Sequence, residues 1–132
     1  FFIFKKMNFS TQTYSQAYED MKQYDGFFLT SFLDKVKNNP EDHLFKLTVP
    51  YTENSELDNE TILKKVIGTD GYWLKLTSEK QDLEYLWYDT KNKNFLFWSQ
   101  NKNNCERANG IIKSRIFKIT EEEKANTQFN LL

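Results

Sequence analysis

The stretch VIGTDGYWLK, Val66–Lys75, decides how this chain is read, because two glycines stand three residues apart directly after an apolar run. Just upstream, ETILKKVIG places Ile62, Leu63, Val66 and Ile67 on one side of a helical wheel and Lys64 and Lys65 on the other. That spacing predicts a short amphipathic helix, capped by Asn59 and closed by Gly68. A second helix is expected to start near Gly71 and to carry Trp73, Leu74 and Thr77. Gly68 and Gly71 suit two structures equally well: a tight two-helix turn that needs left-handed backbone angles, or a loop that lets a ligand approach the backbone closely.

Before this pair, HLFKLTVP (43–50) alternates Phe45, Leu47 and Val49 with Leu44, Lys46 and Thr48, which predicts a strand ending at Pro50. The polar YTENSELDNE that follows reads as a loop. After the pair, LEYLWYDTKNKNFLFWS (83–99) reads as two aromatic strands around the turn TKNKN, with Leu83, Tyr85 and Trp87 on one face and Glu84, Leu86 and Tyr88 on the other. NNCERANGIIKSRIFKI then repeats small or apolar groups at Cys105, Ala108, Ile111, Ile112 and Ile116, the pattern of a helix packed on one side.

Residues 43–118 therefore run strand, helix, G-x-x-G, helix, strand, strand, helix. This order predicts an α+β fold: a three-stranded antiparallel sheet with three helices on one face. Residues 1–42 form an N-terminal extension. Within it, Tyr14, Ala17, Tyr18, Met21 and Tyr24 are spaced as on a helix that Asp25-Gly26 ends, and FFLTSFLDKV supplies a second helix stopping before Pro40, so a helical hairpin is expected. TEEEKANTQFNLL lacks a clear period, and residues 119–132 are expected to be a tail.

A chain of 132 residues with 39% hydrophobic and 17% aromatic content fits one domain whose core volume comes largely from rings. The formal net charge of -1 gives no overall cationic field, yet residues 60–118 hold eleven Lys/Arg against seven Asp/Glu, while both flanks are acidic. One cysteine, Cys105, and one histidine, His43, offer neither an internal disulfide nor a zinc site, which suits a reducing compartment. FFIF at the start is too short for a membrane span or signal core, so an intracellular, cytoplasmic protein is expected. Phe1 stands where a Met would start a chain and Met7 lies nearby, which points to a start that was lost or processed.

The element order, Val49-Pro50 at the end of the first strand, VIGTDGYWLK and ERANGIIKSRI together resemble a type I K-homology (KH) domain over a little more than half the chain. The strands LEYLWY and FLFWS further resemble KH-like proteins of large DNA viruses, which would place the protein in a virion or an infected-cell cytoplasm. The resemblance implies binding of single-stranded RNA or DNA. By position, Gly68, Thr69, Asp70 and Gly71 would form the loop and Lys64, Lys65 and Lys75 would supply charge. Val66, Ile67, Leu74, Tyr85 and Trp87 would form the floor or stack on bases.

Where KH loops usually carry a Lys or Arg, this one has Thr69 and Asp70, and a carboxylate there repels phosphate unless it caps the following helix instead. Hence the alternative: a KH-fold protein that no longer binds nucleic acid and works as an interaction or structural module, through a protein partner or self-association. No Ser/His/Asp or Cys/His constellation, P-loop or metal-ligand spacing points to an enzyme or a cofactor.

Overall fold

A computed structural model describes residues 8–24, 26–51 and 57–131. Asp25, the loop residues 52–56 and the leading FFIF, all assigned roles above, lie outside them. The strand expected at 43–50 forms over His43–Pro50, and the aromatic hairpin forms from Tyr85–Asp89 and Asn94–Ser99. Among the described residues, however, the sheet has four strands, not three. Asn8–Thr13 adds a strand antiparallel to His43–Pro50, pairing Asn8 with Thr48 and Thr13 with His43. In chain order these are β1 (Asn8–Thr13), β2 (His43–Pro50), β3 (Tyr85–Asp89) and β4 (Asn94–Ser99), and across the antiparallel sheet they run β1-β2-β4-β3.

Among the described residues, five α-helices accompany the sheet: α1 (Tyr14–Met21), α2 (Thr30–Asn38), α3 (Asn59–Ile67), α4 (Tyr72–Lys80) and α5 (Lys102–Leu131). α1 starts in a capping box, where Thr13 Oγ1 accepts from the Gln16 amide and Gln16 Oε1 accepts from the Thr13 amide. α3 is capped by Asp58, one residue earlier than expected; its carboxylate accepts from the Glu60 and Thr61 amides. The Thr61 hydroxyl, which donates to the same carboxylate, and then those amide bonds hold the Asp58 carboxyl below its ordinary pKa. α5 runs through the segment expected to be a tail. Ile119 stays buried and Lys65 reaches Glu123 at 2.6 Å, so the helix is tied to α3 beyond its apolar stripe. No helix among the described residues is long and apolar enough to cross a membrane.

β4 lies between two strands and is covered on both faces, which explains why FLFW shows no polar alternation. Phe95 and Phe97 face one core with Leu47 and Val49 of β2, Leu86 and Tyr88 of β3, and Ile62, Val66, Leu74, Cys105, Ala108 and Ile112 from α3, α4 and α5. Leu96 and Trp98 face the other with Leu44, Tyr85, and Tyr14, Ala17, Met21 and Phe32 from α1 and α2. The N-terminal helices are therefore the second outer layer of one sheet. This arrangement sets which strand residues a ligand can reach.

Polar groups pin that second layer. Trp98 Nε1 donates to Gln12 Oε1 at 2.8 Å, Gln12 Nε2 donates to Asp20 at 2.9 Å, and Lys46 Nζ meets Asp20 at 2.6 Å. Glu84, almost fully buried, accepts from the Tyr14 hydroxyl at 2.6 Å and from Lys35 Nζ at 2.7 Å. Burial first, then Glu84, pushes the Tyr14 phenol far above its ordinary value of 10.0. The unfolded chain releases that proton near the ordinary value while the folded chain keeps it, so stability falls as pH rises above 10. In urea titrations at successive pH values, Tyr14→Phe should remove about 1.4 kcal/mol of this fall per pH unit. Equal slopes in the two proteins would show that Tyr14 does not carry it.

Candidate nucleic-acid interface

α3 ends because Gly68, at φ 86 and ψ 162, leaves the helical region. A single 3₁₀ turn, Thr69–Gly71, then leads into α4, with the Gly71 amide donating to the Gly68 carbonyl at 3.0 Å. Asp70 takes φ 54 and ψ 30, a left-handed conformation that aspartate tolerates better than most residues. It does not cap α4, whose N-cap is Gly71 with no side-chain hydrogen bond. Asp70 instead stands exposed at the tip, with no ion-pair partner among the described residues.

Both glycines are also demanded by tryptophans. A Cβ on Gly68 would come within 2.6 Å of the Trp73 ring, and one on Gly71 within 2.5 Å of the Trp87 ring. With φ at 86 and 76 as well, the left-handed turn and the close ring contacts together exclude other residues.

The turn has a shallow hollow on each side. On the β3 side the lining is Phe27, Ile67, Gly68, Asp70, Gly71 and Trp87. Phe27, from the segment joining α1 to α2, lies here with Lys75 Nζ 5.5 Å from its ring centroid. On the α5 side the lining includes Lys64, Lys65, Thr69, Trp73, Arg115 and Lys118, with Glu122 the carboxylate among them.

The twelve residues singled out by sequence divide accordingly. Gly68, Thr69, Asp70 and Gly71 do form the turn, with Ile67 beside it. Lys64 is exposed and pairs with Glu60 at 3.3 Å, while Lys65 is tied to Glu123. Lys75 is exposed on the β3 side. Val66 and Leu74 are wholly buried in the core, so neither can serve as a groove floor. Tyr85 is buried on the opposite sheet face, stacked on Phe28 under the N-terminal helices, and is out of reach of a base. Trp87 is half-buried, its ring filling the space against Gly71.

Arg115 and Lys118 were missed, and the first organises the site. Arg115 Nε and Nη2 donate to the carbonyls of Val66 and Lys65 at 3.1 and 2.8 Å, closing the C-terminus of α3, and its guanidinium lies 4.2 Å from the Trp73 ring centroid. Burial lowers its pKa below the ordinary arginine value. The available signal was the spacing Ile111, Ser114, Arg115, Lys118, one stripe of a helix with cations at its end. Cys105 is wholly buried, and burial, then Glu106, pushes its thiol up to about 12, which disfavours the thiolate. Comparison with known proteins gives no match to a family model, a curated protein or a solved structure.

Proposed function

We propose that this chain is a KH-like protein that binds single-stranded RNA or DNA, without enzymatic activity, through the surface around its G-x-x-G turn. The observation that carries the reading is the gathering of Lys64, Lys65, Arg115 and Lys118 around Trp73 beside a turn with two left-handed glycines. Lysines and arginines attract phosphates and an accessible indole offers a stacking surface, the two ingredients of sequence-tolerant single-strand binding. The proposed setting, the cytoplasm of an infected cell or the virion of a large DNA virus, follows from the same resemblance in the tryptophan-bearing strands.

A second reading is favoured by Asp70 at the tip and by Phe27 and Trp87 on the β3 side: a KH fold that has given up nucleic acid for a protein partner or self-association. Fluorescence anisotropy with labelled single-stranded ten-mers at 50 mM salt separates the two. The first reading expects salt-sensitive binding that Lys64→Glu weakens and Asp70→Lys strengthens, each by roughly three- to tenfold. Absence of binding at 50 mM salt to both RNA and DNA ten-mers would leave the second.

A further inference from the structure

The α5-side hollow continues past Trp73. A second hollow, lined by Leu76, Thr77, Lys80, Gln81, Ile111 and Ser114, shares Trp73, Arg115 and Lys118 with the first, so the two join into one groove between α4 and α5. Nine-residue α4 forms one wall, giving a length of about 13 Å at 1.5 Å per residue. Trp73, Leu76, Thr77 and Lys80 present the α4 side at helical spacing, and Ile111, Ser114, Arg115 and Lys118 present the α5 side. Trp73 is 37% exposed where the hollows meet. Neither Lys80 nor Lys118 has an ion-pair partner among the described residues.

The contrast with the other flank of α4 is chemical. There, Phe27 and Trp87 occupy the surface beside Gly71, and the charge that lines the hollow is Asp70. We infer that a single strand lies in the α4/α5 groove, its phosphates on Lys64, Lys65, Lys80 and Lys118 and one base against Trp73, and not on the β3 side of the turn. This placement rests on the nucleic-acid reading above. Arg115 acts as a positioning residue, because its two described hydrogen bonds go to α3 carbonyls and its guanidinium holds Trp73. An acidic protein segment would meet the same cations, but a shallow cationic groove with an accessible indole midway along it is the arrangement that tracks a backbone and stacks a base.

The test is anisotropy with a fluorescein-labelled ten-mer of dT and of rU at 50 and 200 mM KCl, with unlabelled polyglutamate as competitor and circular dichroism to verify each fold. Four neutralised phosphates, one on each lysine, predict about a fiftyfold loss of wild-type affinity between the two salts. The double variant Lys80→Glu/Lys118→Glu should lose at least tenfold in affinity at 50 mM and show a shallower salt slope, and Trp73→Leu should lose about tenfold. Lys75→Glu reads out the other flank and should change affinity less than threefold. If Lys75→Glu is the damaging change and the double variant binds like wild type, the strand lies on the β3 side and the placement is overturned while the function stands. Polyglutamate displacing the ten-mer at equal charge concentration would overturn it in favour of an acidic protein partner. No wild-type binding at 50 mM would remove the nucleic-acid reading and this placement together.

Discussion

A chain that begins at His43, without the residues before it, will not hold a monomeric fold. Its removal of α1 and α2 bares Leu44, Tyr85, Leu96 and Trp98 together, and its removal of β1 strips six paired positions from β2. Tyr85 and Trp98 alone bury roughly 300–500 Å². At ~25 cal/mol per Å² their exposure costs as much as about 7–12 kcal/mol. That is the size of the whole stability of an ordinary domain, about 5–15 kcal/mol. The bared strand edge and aromatic face are also a template for association. Expressed alone, residues 43–131 should be insoluble, aggregated on size exclusion, or without a cooperative melt. A soluble monomeric fragment with near-native circular dichroism and a sharp transition would show that the first 42 residues are an accessory. It would restore the division at residue 43 that periodicity suggests.

Trp98→Ala should be the most damaging single substitution on the same face, at about 3–5 kcal/mol. The ring is wholly buried on the central strand, 5.4 Å from the Tyr85 ring centroid, with Lys46 Nζ 5.1 Å from its own. Truncation opens a cavity and also removes the donor that Gln12 Oε1 accepts from. Trp98→Phe keeps much of the volume and should cost clearly less. Urea unfolding of the three proteins gives the comparison directly, and an alanine variant within about 1 kcal/mol of wild type would mean that the N-terminal layer packs without relying on this ring.

Elements whose apolar residues recur at one period were legible in the sequence. β2 forms over the expected residues, the α3–turn–α4 unit closes at Gly68, and the hairpin turns where Lys and Asn dominate. β1 was not legible because NFSTQT carries one apolar residue, Phe9; as an edge strand it contributes through Gln12, which reaches Trp98 eighty-six positions away. Tyr85 and Trp87 share a face as read, but Leu83, read with them, packs in the other core and Glu84, read opposite, bonds Tyr14 and Lys35, because both residues precede β3; what covers the shared face is decided by α1 and α2, and no local pattern carries that information. The same applies to the interface. The loop lysines were visible from their position beside the glycines, whereas Arg115 joins them only because α5 crosses the end of α3, forty-nine residues away in sequence from Val66.

The two glycine contacts of the turn give the protein an optical property. Two of its three indoles, Trp73 and Trp87, each sit against one end of a single four-residue segment, while the third is sealed in the far layer. Any rearrangement of that segment must alter the surroundings of one ring or both. Its emission spectrum is thus a native gauge of the state of the loop, with Trp98 as a steady internal background and no attached dye required.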